Sequence, residues 1–362
     1  MSTNGFVVRG KIWFQPLPRQ GLTAAVLVGM LAIAVGLIKY GISLYSGWGN
    51  LFEVTRNFTG PNLDPSQDFV LPNAGFAAFL GWVGVQSTQL WISIHVCVVI
   101  VALIAPFLMP RIRRQASLLR VVFVVIVGGP VLPVLLEWVG SYDSLTVLGL
   151  VLAALGQRHI VRIIGWTLVG VGHVELGFVA AALLIAYKFV NAPREDRIRQ
   201  SGVDILVAAG PLLVMSVLTS ALVASWGGAS SRIDLALANP IDNAYKFALV
   251  MPAMLFSVLG VLWIILLRRS EIRRRRTWSL VLIVVAISLT LPFFFHDHTR
   301  VLGILSFPLT LAWIIDQSNR QASQIWSRFA VAAVIIPIPV FVMGSVMFGG
   351  IINFLTWRVV SG

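Results

Sequence analysis

A chain of 362 residues that is 58% apolar and 11% charged, with a mean hydropathy of +0.90, lacks the polar surface needed to coat a water-soluble fold of its size. Its apolar residues run on without the polar interruption every three or four positions that a soluble bundle helix requires, which excludes a soluble globular protein. The net charge of +13 does not denote nucleic-acid binding either: Lys and Arg cluster between apolar runs, as in membrane proteins that keep basic loops beside anionic cytoplasmic lipid.

Taken in chain order, the arm 1–21 carries Arg9, Lys11 and Arg19 and no acid, which predicts a cytoplasmic amino terminus. A first span over about 22–45 is too long for a signal-peptide core and precedes no small-residue cleavage site, so it is expected to be retained. Residues 46–89 form the first outer loop, with Glu53, Asp64 and Asp68 against Arg56 and with Gly60-Pro61, Asp64-Pro65 and Leu71-Pro72 as turn signals. A span over about 90–109 ends at Pro110 and the basic residues Arg111, Arg113, Arg114 and Arg120. The next, about 119–136, leads to Glu137-Trp138 and then Ser141-Tyr142-Asp143.

Between 144 and 188 the apolar run is interrupted by Arg158-His159, Arg162, His173 and Glu175. This reads as three short passes, about 144–157, 160–173 and 175–188. Each is below the roughly 20 residues of an independent span, so each is shielded by other helices or stops part-way across. The rival is a re-entrant segment followed by one long span over 163–188. Further spans fall at about 203–225, 246–267, 278–295, 301–315 and 329–349, before an apolar tail at 350–362.

The expected fold is therefore all-α: one polytopic transmembrane helix bundle over 1–362, with about nine to eleven spans including short or re-entrant helices, and no soluble domain. It is expected in the cell membrane as a multi-pass protein. Alternation puts 21 of the 27 Lys and Arg in the arm and the cytoplasmic loops, and nine of the 14 acids on the other side. The single cysteine, Cys97, lies within a span and forms no intrachain disulfide.

An ionisable group at membrane depth costs about 2.5–3.5 kcal/mol on insertion scales, so the polar clusters near span ends are the candidates for function. Asp64 and Asp68 belong either to a solvated connector or to an ordered loop that aims a base or metal ligand into a cavity. Tyr142-Asp143 opens a short helix, where Asp143 is an N-cap, a catalytic carboxylate or both. His173 and Glu175 splay apart if their backbone is helical and share a face if it is extended. They either stabilise a helix break or bind substrate. In His296-Asp297-His298-Thr299-Arg300 the guanidinium of Arg300 can clamp a phosphate, and Asp297 can serve as base or ligand. His296 and His298 can bind a metal or shuttle protons. Mg²⁺ or Mn²⁺ shared between carboxylates and phosphate suits these residues better than zinc. His95 and Asp204 read as satisfied interhelical groups, Lys39 as a residue snorkelling to the outer interface, and the Arg residues of 268–276 as a topology determinant.

A many-span chain with aspartates in its first outer loop, short passes after an outer Tyr142-Asp143, and Asp297-His298-Thr299-Arg300 at the outer end of a late span resembles the GT-C-type glycosyltransferases and the related O-antigen-type polymerases of bacterial surface-polysaccharide assembly. In GT-C enzymes an acid of the first outer loop serves as base or metal ligand. The resemblance implies that role for Asp64 or Asp68, which stand four apart instead of forming the usual paired acids. It implies a transferase or polymerase at the non-cytoplasmic face of the inner membrane, acting on a polyprenyl-phosphate-linked sugar with membrane lipid around it. Arg300 would hold the donor phosphate, and Asp68, Asp143 or Asp297 would deprotonate the acceptor hydroxyl. Tyr142, His173, Glu175, His296, His298 and Asp64 would bind substrate, and a divalent cation would assist. The alternatives are a transporter or flippase for a lipid-linked or anionic solute, which needs its polar groups near the midplane, and a non-catalytic membrane subunit.

Overall fold

The structure, a computed structural model, describes residues 21–45, 47–61, 73–227, 241, 251, 254–268, 274–291, 298–316, 322–336, 338, 340–342 and 345–347. Arg9, Lys11, Arg19, Asp64, Asp68, His296, Asp297 and the tail 350–362 lie outside the described residues.

Helix α1 (Leu22–Tyr40) starts at Gly21, whose φ of 81° belongs to the left-handed region. A Cβ there would lie 2.1 Å from the Arg113 carbonyl oxygen, so only glycine fits. Two short helices, α2 (Trp48–Arg56) and α3 (Gly75–Trp82), precede α4 (Thr88–Leu108). Ser87 caps α4 by accepting from the Leu90 N–H. After a single turn, α5 (Pro110–Arg113), come α6 (Ala116–Val127) and α7 (Val131–Glu137), bent by 56° at Gly128-Gly129-Pro130. Then follow α8 (Asp143–Leu155), α9 (His159–Asn191) and α10 (Arg197–Ser225). Beyond helical residues 254–259 lie α11 (Leu262–Arg268), α12 (Arg274–Thr290), α13 (His298–Asp316) and α14 (Ala322–Ile335).

By length and composition α1, α4, α9 and α10 are each able to cross a membrane, and the bent pair α6–α7 makes a fifth. Large apolar side chains of α1 and α10 point outward, Leu206 at 75% exposure among them. That is a penalty in water and the normal state against lipid tails. The chain is thus a multi-pass helical protein with several membrane-length helices. α6, α7, α8 and α13 are buried on nearly every side, which is why their sequences are apolar all round.

Helix α9 folds back on itself. His173 leaves helical geometry, with φ −156° and ψ 87°. Arg162 and Lys188 both pair with the Asp204 carboxylate, the first through Oδ1 and the second through Oδ2 at 3.3 Å. On a straight helix these two residues would stand about 39 Å apart at 1.5 Å per residue, far beyond the reach of their side chains. So α9 consists of two arms, 159–172 and 174–191, joined at His173. This is the path of two short passes, and it excludes one long span over 163–188. Asp204 is the satisfied interhelical group expected of it.

The hairpin brings Arg162, Lys188 and Asp204 to the same end as Arg276, which lines a recess with the last two. Arg111 joins them by donating to the Ile315 carbonyl at the close of α13. Arg111, Arg162, Lys188 and Arg276 therefore collect at one end of the bundle.

The described parts of the first outer loop, α2 and α3, lie on the bundle, which is the ordered one of the two alternatives for it, whereas the expectations for Lys39 and for the last span change. Trp91 Nε1 donates to Thr55 Oγ1 at 3.0 Å, Trp226 Nε1 donates to the Phe58 carbonyl at 2.9 Å, and a Cβ on Gly75 would sit 2.9 Å from the Val171 carbonyl oxygen. Lys39 does not snorkel outward. Its Nζ donates to the carbonyls of Val127, Ala333 and Ile336, groups left without helical partners where α6 and α14 end. The final span expected over 329–349 stops at Ile335, because Pro337 and Pro339 cannot continue it. A short antiparallel pair, β1 (Val340–Val342) with β2 (Ser345–Met347), follows, so the fold is predominantly rather than wholly α.

Candidate functional site

The segment leaving α7 is fixed by backbone pairing with the segment leaving α1. Ser43 N–H donates to the Leu136 carbonyl, Tyr45 N–H to Val139, and Val139 N–H to Ser43. Pinned in this way, Trp138 stacks on Tyr45 with ring centroids 4.9 Å apart and planes at 21°. Gly140 then turns the chain with φ 90°, and a Cβ there would lie 2.9 Å from the Trp91 ring. The turn delivers Ser141, Tyr142 and the first residue of α8, Asp143.

The N-cap position of α8 falls on Tyr142, and Asp143 stands one residue later, in the first turn of the helix. The backbone N–H of Asp143 is taken by Ser141 Oγ at 3.2 Å, and the carboxylate turns to Arg300 in the first turn of α13. Asp143 Oδ2 and Arg300 Nη1 are 3.4 Å apart, with Asp143 1% exposed and Arg300 5%. The Arg300 guanidinium also lies 4.4 Å from the Trp138 ring centroid and 5.8 Å from that of Tyr142. Cation–π attraction and the ion pair together offset the cost of burying this charge.

Tyr142 meets the break in α9. Its ring stands edge-on to His173 at 5.3 Å and 88°. His173 Nδ1 accepts from the Leu176 N–H at 3.4 Å, so the imidazole caps the second arm. A Cβ on Gly172 would sit 2.5 Å from Thr146 Oγ1, which places the break directly against the start of α8. Glu175 follows two residues past the break, half-buried.

The depth of the site follows from helix lengths. α8 and the first arm of α9 each rise roughly 20 Å from the basic end to this point, against a hydrocarbon core of about 30 Å. With the basic end at one bilayer surface, the start of α8, the start of the second arm and the start of α13 would meet past the midplane and short of the far face. Helix starts carry positive potential, which favours an anion among them. Beyond them lies an aromatic cluster of Trp48, Phe52, Trp91 and Phe76 from the helices near the far face. His95 is wedged into it, with ring centroids 4.0 Å from Trp91 and 5.3 Å from Phe76. Neither of its ring nitrogens has a hydrogen-bond partner among the described residues, so His95 is not the satisfied group expected.

Of the residues singled out in the sequence, Tyr142, Asp143, His173 and Arg300 come together. Glu175 flanks them and His298 opens α13. Asp64, Asp68, His296 and Asp297 lie outside the described residues. Trp138 and Tyr45 were missed. A tryptophan beside Glu137 at a span end was the available signal, but interfacial tryptophans are common in membrane proteins. Among the described residues no three His, Cys, Asp or Glu side chains gather as a metal would need, and Asp143 is engaged with a guanidinium. The described part of the site does not fit a divalent cation. Comparison of the chain with protein-family models, curated proteins and solved structures finds no match.

Proposed function

We propose that this protein is a membrane-embedded glycosyltransferase or polysaccharide polymerase that uses a polyprenyl-phosphate-linked sugar at the non-cytoplasmic face. With a cytoplasmic amino terminus, and about nine to eleven passes once short and re-entrant helices are counted, the Asp143 level lies nearer the outer surface. The observation that carries the reading is the buried Asp143–Arg300 pair, set among three helix starts and two aromatic rings. Guanidinium geometry suits the oxygens of a phosphate as well as those of a carboxylate.

The chemistry follows from these groups. Donor phosphate oxygens engage Arg300, with the helix starts adding positive potential. This draws the guanidinium off Asp143 and frees the carboxylate to accept a proton from the acceptor hydroxyl. The hydroxyl oxygen bonds to the anomeric carbon as the bond from that carbon to the phosphate oxygen breaks. The proton rests on Asp143, and the charge leaves with the polyprenyl phosphate, held by Arg300. Trp138 and Tyr142 offer ring faces for the sugar.

The test has two parts. Mass spectrometry of lipid co-purified with the protein is expected to find a polyprenyl phosphate or its sugar-linked form. In proteoliposomes supplied with a polyprenyl-phosphate sugar, Asp143→Asn is expected to lower kcat by about 10²–10⁴-fold, the usual worth of a general base. Binding of the donor should be retained by that variant and lost in Arg300→Gln. Donor binding without any bond cleavage by the wild type refutes the enzymatic reading.

One observation favours a second reading, a transporter or flippase for a lipid-linked or anionic solute. The chain breaks two helices, α6–α7 at Gly128-Gly129-Pro130 and α9 at His173, and transporters build substrate sites from discontinuous helices of this kind. Movement of the intact solute across sealed proteoliposomes, with no cleavage, distinguishes it.

A further inference from the structure

Helix α3 is only eight residues long, yet it is apolar on every face. Ala77, Ala78, Leu80 and Gly81 are buried against the bundle, while Phe79 and Trp82 are 50% and 71% exposed. Val83, the next residue, is exposed as well. Positions three and four apart share a helix face, so these three side chains form one outward stripe. We propose that α3 is a re-entrant half-helix sunk in the leaflet opposite the basic end, with its Phe79–Trp82–Val83 edge resting on lipid.

Depth is the first ground. Helix α4 has 21 residues, a length of about 31 Å, and Arg111 of the basic end follows it. That length matches a hydrocarbon core of about 30 Å, so with Arg111 at one bilayer surface Thr88 stands at the other. The Phe76 ring meets that of His95, which lies seven residues into α4 and so about 10 Å below its start. A ruler from the opposite surface agrees. A Cβ on Gly75 would lie 2.9 Å from the Val171 carbonyl oxygen, at the top of an arm of α9 that rises roughly 20 Å from the basic end. The other end of α3 stands higher. Gly81 packs on the carbonyl of Thr55, whose hydroxyl holds Trp91 Nε1, and Trp91 is in the first turn of α4.

The backbone is the second ground. Irregular backbone does not face lipid, because nothing there meets its polar groups. Asn73 and Ala74, which lead into α3 at its deep end, are 2% and 0% exposed, so protein encloses the non-helical entry. The stretch with the outward stripe is helical, and the Val83 N–H still bonds back to the Phe79 carbonyl. Exposed non-helical backbone returns at Gly84, Gln86 and Ser87, at the surface level, where the side chains turn polar.

The sequence supplies the third. No Lys, Arg, Asp or Glu occurs between Asp68 and Arg111, so neither α3 nor its link to α4 carries a charge that demands water. Trp82, at the shallow end of the stripe, is the residue type that membrane boundaries favour. Lipid is therefore the occupant that suits this edge, whether or not the Asp143–Arg300 site is catalytic.

The test uses a Cys97→Ser background and the single-cysteine variants Phe79→Cys, Trp82→Cys and Thr59→Cys, each labelled with an environment-sensitive NBD fluorophore. The labelled proteins are placed in phosphatidylcholine vesicles. Iodide quenches from water, and lipids with a nitroxide high or low on the acyl chain quench from the bilayer. The label at 59 is expected to respond to iodide. Labels at 79 and 82 are expected to show an iodide quenching constant about tenfold smaller, because water is excluded from the core. Both should be quenched by nitroxide lipid, and 79 should favour the deeper nitroxide more than 82 does. Iodide quenching at 79 and 82 equal to that at 59 overturns the proposal by placing α3 in water. Protection from both quenchers also overturns it, since protein then covers the edge. An equal, shallow nitroxide preference at both sites overturns the re-entrant path and leaves a helix lying flat on the surface. Should either labelled variant fail to reconstitute, Val83→Cys takes its place.

Discussion

At Arg300 the guanidinium faces Trp138 while one nitrogen reaches Asp143, in surroundings that exclude water. Removing one member of such a pair strands the other, so Asp143→Asn and Arg300→Gln are each expected to cost about 3–5 kcal/mol. The double variant should recover a good part of that, because no charge remains buried alone. Thermal unfolding in detergent measures all three, and additive losses would show that the two residues do not act as a pair. Arg300→Lys keeps the charge but loses the planar stack, and is expected to fall between wild type and Arg300→Gln. His95 poses the opposite case. Its nitrogens have no partner among the described residues, and its ring is enclosed by Trp91 and Phe76. Replacing it with Phe removes two unmet polar atoms and keeps an aromatic surface, so stability should hold or rise by about 1 kcal/mol. A marked loss would mean that the imidazole has a partner in the membrane that the described residues do not supply.

Among the elements, the contact of α8 with the first arm of α9 decides where Asp143 stands. The two helices cross at glycines. A Cβ on Gly165 would lie 2.6 Å from the Ala153 nitrogen and 2.6 Å from the Gly149 carbonyl oxygen. Backbone cannot yield as a side-chain tip does, so Gly165→Ala is expected to push the helices apart at a cost of about 1–3 kcal/mol. Gly202→Ala on α10 is the control: nothing lies within 4 Å of its Cβ, and helix propensity alone should stabilise it by up to about 1 kcal/mol. Equal midpoints for the two variants would contradict the close crossing. The break in α9 was legible in the sequence because His173 and Glu175 interrupt an apolar run, and polar residues at that depth need a reason. That the first outer loop folds onto the bundle was legible only in outline, from its Pro and Gly content. The contacts that hold α2 and α3, Trp91 to Thr55, Trp48 and Phe52 against Trp91, and Phe76 against His95, are tertiary, and no periodicity encodes them. The same holds for Trp138 in the site: its place depends on pairing between residues 43–45 and 136–139, remote in sequence.

For the whole molecule, the multi-pass helical character was the most legible property, since it follows from the long apolar runs. Span number was less so, because length alone makes α9 a single crossing of 33 residues, whereas Arg162 and Lys188 meeting one carboxylate makes it a hairpin. The difference has a direct consequence for topology. If α9 doubles back, Gln157 and Glu195, both exposed at its two ends, lie on the same side of the membrane; if it crossed once, they would lie on opposite sides. Cysteine labelling decides this in a background where Cys97, the lone native cysteine, is replaced by Ser. Gln157→Cys and Glu195→Cys are expected to react with a membrane-impermeant maleimide from the cytoplasmic side, and Thr59→Cys, exposed after α2, from the other. Labelling of 157 and 195 from different sides would undo the hairpin. The starts of α8 and the second arm would then no longer meet, and the candidate site would lose its depth and its cap together.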